Sequence, residues 1–358
     1  LINTVGQLCP APELVEQVER RNRLKLIQPW LEARVAQGNQ ETAVHNAVGK
    51  IYISLNRDPL QFLQNNQYYD PVEIGKFCEK LDPHLAFVAY KGARGGCDTD
   101  IVRVCQDNGL YKDLARYLVE RQDEELWVSV LKPEGMEEGA AEPPSRRYLL
   151  DQVVQTALPE TKNPDEVSST VKAFMACDMP GELVELLERI VLQGSDFSDN
   201  KSLQNLLIIT AIRTTKDKVM EYVNRLDNFD GPDLAKIACD PENGLFEEAY
   251  TIFVKCAKKT KGDEQIKHHV SAVEVLVDHI EDLERAKEYA ERVSLSVVWS
   301  KVAKAQLGND LVVEAIASFI KAADPKDWLL IIDAAEKADQ YGELVNYLKM
   351  ARKTVKES

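Results

Sequence analysis

The last sixty residues carry one pattern of apolar and polar positions written twice. Trp299 and Trp328 lie 29 residues apart, as do Ala315 and Leu344. Each tryptophan opens a segment whose apolar residues recur three and four apart, with Val302 and Ala303 after the first and Ile331 and Ile332 after the second. That spacing places a stripe along one face of a helix. Each unit therefore reads as two helices joined by a short turn, and a fixed period near 30 with two helices per unit predicts an α-solenoid.

The same core pattern recurs upstream: an apolar residue, a small residue or leucine three later, then an apolar pair. It appears as Tyr111, Leu114, Tyr117 and Leu118, as Phe246, Ala249, Ile252 and Phe253, and as Leu283, Ala286, Tyr289 and Ala290. Leu183, Leu186 and Leu187 fit without the leading apolar residue. Alanine at the close-approach position lets helix axes come within about 8 Å. Repeat-core packing is accordingly assigned to Leu114, Trp127, Leu183, Ala249, Ala286, Trp299, Ala315, Trp328 and Leu344.

Helix starts are predicted at Asp58-Pro59, Asp70-Pro71, Asp82-Pro83, Asn163-Pro164, Gly231-Pro232 and Asp324-Pro325. An N-cap carboxylate or amide accepts from a free N–H, and proline at the first helical position lacks an N–H that has no partner there. Three stretches interrupt the rhythm: a turn at Lys91–Gly96, a long Gly/Pro/Glu-rich loop at Lys132–Ser145, and a linker at Lys258–His269 that absorbs the 37-residue spacing from Ala249 to Ala286. No stretch alternates convincingly enough for a sheet. The expected fold is all-α, an α-solenoid of stacked antiparallel helical hairpins. About two dozen helices, in about twelve hairpins, would stack into a rod of roughly 110 Å.

Composition narrows the function classes. Net charge is −15, which disfavours phosphate backbones and anionic lipid surfaces, so nucleic-acid binding and direct membrane insertion are not expected. Arg20–Lys25 is the best basic candidate, and on a helix its charges would spread over several faces. Seven scattered cysteines form no CxxC pair and read as small core residues of a cytosolic protein. The longest apolar run, Leu206–Ile212, is far short of a membrane span. The chain opens on Leu1 and closes in a charged helical run at Ser358, so it is expected to be a segment of something longer.

Candidate chemistry is sparse. There is no Walker A loop, G-x-G-x-x-G, G-x-S-x-G or H-E-x-x-H, so no catalytic residue, metal ligand or cofactor is assigned. His268, His269 and His279 lack one-face ligand spacing and read as a solvated loop end. Glu281 with Arg285 and Glu288 with Arg292 read as i, i+4 pairs on a solvent face.

The chain resembles the clathrin heavy-chain family over nearly its whole length. The likeness is densest in Arg21–Val35, Lys50–Ser54, Cys78–Tyr90 and Asp151–Leu158. It continues through Thr170–Met175, Leu203–Ile208, Val219–Asn228, Leu245–Tyr250 and Lys304–Leu307. The three interrupting stretches depart from the familiar animal form. The resemblance implies clathrin heavy-chain repeats at 1–160 and 161–297, with a further repeat beginning at 298–358. It also implies a non-enzymatic coat component, a leg segment between the foot-side linker and the knee. The implied partners are other clathrin heavy chains, trimerised through a hub outside this segment, with the clathrin light chain bound mainly elsewhere. The implied place is the cytoplasmic face of coated pits and vesicles. From the residues alone, a helical-repeat adaptor presenting a groove to a peptide or helix stands as the alternative.

Overall fold

Sequence periodicity becomes structure in a chain whose described residues form helices joined by turns, without strands. The computed structural model describes residues 10–132 and 144–357. Packing divides the chain into two compact units, Leu1–Glu182 and Leu183–Ser358.

In the first unit the helices are α1 (Ala11–Arg20), α2 (Gln28–Ala36), α3 (Thr42–Ser54), α4 (Pro59–Asn65), α5 (Pro71–Glu79), α6 (Pro83–Lys91), α7 (Asp98–Asn108), α8 (Tyr111–Arg121) and α9 (Glu124–Leu131). Then come α10 (Pro144–Gln152), prolonged by a π turn at Val153–Ala157 and by Leu158–Glu160, and α11 (Pro164–Ala176). Helix α12 (Pro180–Leu192) contains the dividing line. The second unit continues with α13 (Lys201–Thr214), α14 (Val219–Arg225), α15 (Gly231–Ala238), α16 (Phe246–Lys259) and α17 (Asp263–Glu274), which runs on into a π turn at Val275–His279. It ends with α18 (Leu283–Val293), α19 (Ser296–Gly308), α20 (Val312–Ala322), α21 (Trp328–Lys337) and α22 (Tyr341–Glu357).

Successive helices pack against each other and against the next but one. In the first unit α5 lies on α6, α6 on α7 and α4 on α6; in the second α15 lies on α16, α19 on α20 and α17 on α19. This is the tandem hairpin packing of an α-solenoid.

The N-caps follow the predicted chemistry at three of six markers. Asp70 accepts from Val72 N at 2.8 Å, Asp82 from His84 N at 2.9 Å, and Asn163 from Asp165 N at 3.0 Å. Asp58 instead adopts a left-handed conformation and caps nothing, although α4 still starts at Pro59. At Gly231-Pro232 the helix begins on the glycine. Asp324-Pro325 starts no helix: Asp324 Oδ1 accepts from Lys326 N at 3.0 Å, and α21 begins only at Trp328.

Chain reversals use a six-to-one backbone bond with a left-handed residue just past the helix. Arg23 N reaches Val18 O past Asn22, Arg57 N reaches Tyr52 O past Asn56, Met179 N reaches Phe174 O past Asp178, and Leu311 N reaches Gln306 O past Asp310. Asn and Asp tolerate that conformation through short polar side chains, which lets the fold turn often with few glycines.

One interruption differs from expectation. Lys258–His269 is no linker: α16 runs to Lys259, α17 starts at Asp263, and only Thr260–Gly262 is non-helical. Longer helices and the π turn at Val275–His279 account for the wide spacing. Most of the expected Lys132–Ser145 loop lies outside the described residues.

Candidate functional site: cross-helix ties

The most built features of the chain are the contacts that fix one helix against the next. Leu114, Trp127, Leu183, Ala249, Ala286, Trp299, Ala315 and Leu344 are all buried. Trp127 meets Phe174 edge-on at 6.0 Å, joining α9 to α11, and Lys321 Nζ lies 4.3 Å from the Trp299 ring centre.

Trp328 departs from the assigned role. It is 47% exposed, against 5% for Trp299. Ser296, which opens α19, donates to Ala322 O at the end of α20 and laces the two helices together. The residue one period later is Pro325, which has no hydroxyl and sits in the Asp324 turn. Trp328, Leu329 and Leu330 in the first turn of α21 are all exposed, and the core contacts of this helix are made by Ile331 and Ala335.

Polar ties repeat alongside the apolar ones, each joining a buried tyrosine or lysine to a carboxylate on another helix. Tyr90 of α6 donates to Glu79 Oε1 of α5 at 2.5 Å, and Arg103 of α7 donates to the same oxygen at 2.6 Å. The Arg103 guanidinium holds the Glu79 carboxyl below its ordinary range, with the Tyr90 bond adding to it. Burial and that carboxylate push the Tyr90 phenol up. Tyr117 of α8 donates to Asp98 of α7, which Arg121 also grips at 2.9 Å. In the second unit Glu188 of α12 accepts from Tyr222 at 2.5 Å and from Lys218 at 2.9 Å. Charge-assisted bonds of this kind are roughly twice as strong as neutral ones.

Lys50 of α3 binds two helices at once, donating to Glu19 of α1 and, at 2.5 Å, to Glu73 of α5. Burial opposes its charge, but the two carboxylates outweigh it and raise its pKa. Lys255 of α16 donates to the last carbonyls of α14, reaching Val223 O at 2.9 Å and Leu226 O at 2.5 Å. Those carbonyls lack intrahelical partners, so the ammonium caps the helix.

Several expected charges sit elsewhere. Arg285 pairs with Glu247 on α16 through two bonds of 2.6 and 2.9 Å; Glu281 precedes α18 in a left-handed conformation and cannot supply the i, i+4 partner. The histidines belong to helical turns rather than a loop end. His269 Nδ1 lies 2.7 Å from Tyr289 Oη, and His279 stacks on Phe246 at 5.0 Å. Residues Arg20–Lys25 span the end of α1, a turn and the start of a 3-10 turn at Leu24–Ile27.

Chemically the arrangement ties helices together. Burial pushes the Cys78 and Cys105 thiols up to about 12, the opposite of activation. The carboxylates of these ties are engaged by cations: Glu79 by Arg103, Asp98 by Arg121, Glu188 by Lys218, and Glu19 and Glu73 by Lys50. No His/Cys/Asp/Glu group suited to a metal occurs among the described residues. Among them no helix is long and apolar enough to cross a membrane.

Comparison with known proteins gives this pattern a family. The family model "Clathrin: Region in Clathrin and VPS" matches residues 2–133 and 158–312. The clathrin heavy chain of Drosophila melanogaster is 52% identical over 358 residues, covering 100% of this chain and 20% of that protein. The Dictyostelium discoideum clathrin heavy chain is 52% identical over 357 residues, and clathrin heavy chain 2 of Homo sapiens 50% over 358, with the same coverages. The chain thus spans about a fifth of the length of the curated relatives it matches. Among solved structures, a "Circular tandem repeat protein with novel repeat topology and enhanced subunit contact surfaces" aligns over 97% of this chain and 82% of that one, at 15% identity and a TM-score of 0.18, too low to indicate a shared fold. A repeat model that matches most of the residues, and about half of all positions shared from end to end with heavy chains of distant species, place this chain in the clathrin heavy-chain repeat family.

Proposed function

We propose that the chain is a structural strut, a leg segment of a clathrin heavy chain that packs with neighbouring legs in the polyhedral lattice of coated pits and vesicles. The observation that carries this reading is near-50% identity to clathrin heavy chains along the whole of the segment. The density of cross-helix ties supports a load-bearing role, because each tie resists sliding of one hairpin over the next. The segment catalyses nothing in this reading and needs no cofactor. Its partners are other heavy chains, joined through a hub outside the segment, while the light chain binds mainly elsewhere. It works at the cytoplasmic face of the plasma membrane, trans-Golgi network and endosomes. Repeat boundaries fall near residues 160 and 297, and the gap in the family match between 133 and 158 supports the first.

The strut reading is tested by changing its length in a full heavy chain. Duplicating Ser296–Asp324 adds one hairpin and lengthens the leg by about 9–10 Å. Electron microscopy of assembled coats should then show altered edge length or a failure to close. Coats of unchanged dimensions would refute a length-setting strut.

A further inference from the structure

The turn between α1 and α2 holds a feature that hairpin stacking does not use. Arg23 and Lys25 project from it without an ionic or hydrogen-bond partner among the described residues. The neighbouring cations are all engaged: Arg20 with Glu16 at 2.5 Å, Arg21 with Gln17 at 2.9 Å, and Lys50 with Glu19 and Glu73. Beside the free pair opens a cleft of about 330 Å³, lined by Leu24, Ile51 and Phe77 and by Glu19 and Lys50, whose charges are paired with each other, and edged by Leu26, which is 64% exposed.

The turn is set in advance. Asn22 takes the left-handed conformation, its N–H donates to Glu19 O at 2.7 Å, Arg23 N donates to Val18 O at 3.0 Å, and Leu26 N donates back to Arg23 O at 2.9 Å. A rim fixed by its own backbone loses little freedom when something binds.

We propose that this cleft docks a short acidic peptide segment carrying one bulky apolar side chain. The apolar part of the lining has room for a single phenylalanine or leucine side chain, and the two unpaired cations stand where flanking carboxylates would meet them. Charge complementarity is local and therefore selective: the chain as a whole carries −15, so an acidic ligand is repelled from most of the surface and drawn to this turn. The same global charge works against a broad anionic surface such as a membrane, which would need many cations on one face. An open cleft suits an extended segment that enters and leaves quickly.

Fluorescence anisotropy on the intact chain tests this. The probe is a fluorescein-labelled peptide with a central phenylalanine flanked by two glutamates on each side. Saturable binding is expected, weakening as salt is raised. Combining Arg23→Glu with Lys25→Glu should weaken it by roughly tenfold or more, and so should replacing the peptide's phenylalanine with alanine. Leu26→Ser reads the cleft without adding charge beside either cation and should weaken it too. Lys267→Glu, an exposed cation of the second unit, should leave binding unchanged. All of these side chains are exposed, so circular-dichroism melts should match the parent chain. Equal binding by the Arg23/Lys25 variant, or equal binding of the alanine peptide, would overturn the proposal. So would no binding at millimolar peptide, or capture by phosphatidylserine vesicles in place of the peptide.

Discussion

Gly75 offers a sharp test of how tightly the cross-helix ties are built. It is a buried residue in the middle of α5, and a methyl group there would lie 2.5 Å from Tyr90 Cζ and 2.6 Å from Cδ1. The Tyr90 ring is fully buried and its hydroxyl is bound to Glu79, which Arg103 holds in turn. Two effects of Gly75→Ala compete. Helix propensity favours alanine by about 1 kcal/mol. Against this, overpacking a tight site costs about 1–3 kcal/mol, and moving the ring aside also weakens a charge-assisted bond of about 1.5–3 kcal/mol. The balance is a net destabilisation of about 1–3 kcal/mol. A global melting point averages over two compact units, so hydrogen exchange of the α5 and α6 amides, followed by mass spectrometry, is the better readout. Gly75→Ala should accelerate that exchange by roughly 10- to 100-fold. In a Tyr90→Leu background the same change should cost much less, because the clashing ring is gone. Slower exchange in Gly75→Ala, or no coupling to Tyr90, would refute the reasoning.

The two tryptophans should separate in stability. Trp299→Ala removes a buried ring beneath Lys321 and should cost about 3–5 kcal/mol, whereas Trp328→Ala should cost under about 1 kcal/mol; denaturant titration followed by exchange in α19–α22 distinguishes them, and equal costs would restore the pairing suggested by the 29-residue period. Glu79 supplies a pH dependence of known sign. Its pKa lies below the ordinary 4.5 in the folded chain, so its contribution is present above 4.5 and is lost as pH falls through the lowered value. The stability gap between the parent chain and Glu79→Gln should be full at neutral pH and close in acid; a gap that persists to about pH 2 would contradict the Arg103 assignment.

What could be read from the sequence was local. Asp70, Asp82 and Asn163 announced helix starts because an N-cap depends on residues two and three positions away. Alanine and leucine at the close-approach positions announced burial because a helical stripe depends on spacing alone. One misreading turns on a partner distant in sequence. Arg285 looked like the partner of Glu281, yet it meets Glu247 on the helix opposite, and only the packing of α16 on α18 decides that. Lys258–His269 looked like a linker because it is rich in charge, but charged residues are sound helix formers when one side faces water. Asp324-Pro325 carried a start signal that the Asp324 side chain spent on a turn. Left-handed Asn and Asp at the reversals left a signal that was available but weak, since those residues also mark N-caps.

A comparison between the two units suggests where the specificity of the fold lies. His45 and Gln204 are each the fourth residue of their helix, and both are buried. His45 Nε2 donates to Asn39 O at 2.7 Å, and Gln204 Nε2 donates to Ser198 O at 2.7 Å. The residues that follow, Asn46 and Asn205, accept from Asp70 N and Asp230 N, each at 2.8 Å and each ahead of the next helix but one. Tyr117 and Tyr289, each the seventh residue of its helix, reach Asp98 in one case and His269 in the other. Imidazole stands in for amide and carboxylate for imidazole, so what recurs is the bond and not the residue that makes it. Apolar packing alone would let hairpins settle at a range of angles, because dispersion contacts are numerous and weakly directional. A buried hydrogen bond admits few geometries and is costly to leave unmade. The recurring bonds from Asn46, Asn205, Tyr117 and Tyr289 therefore help fix one helix against another, and a strut that sets distance and angle would depend on bonds of this kind.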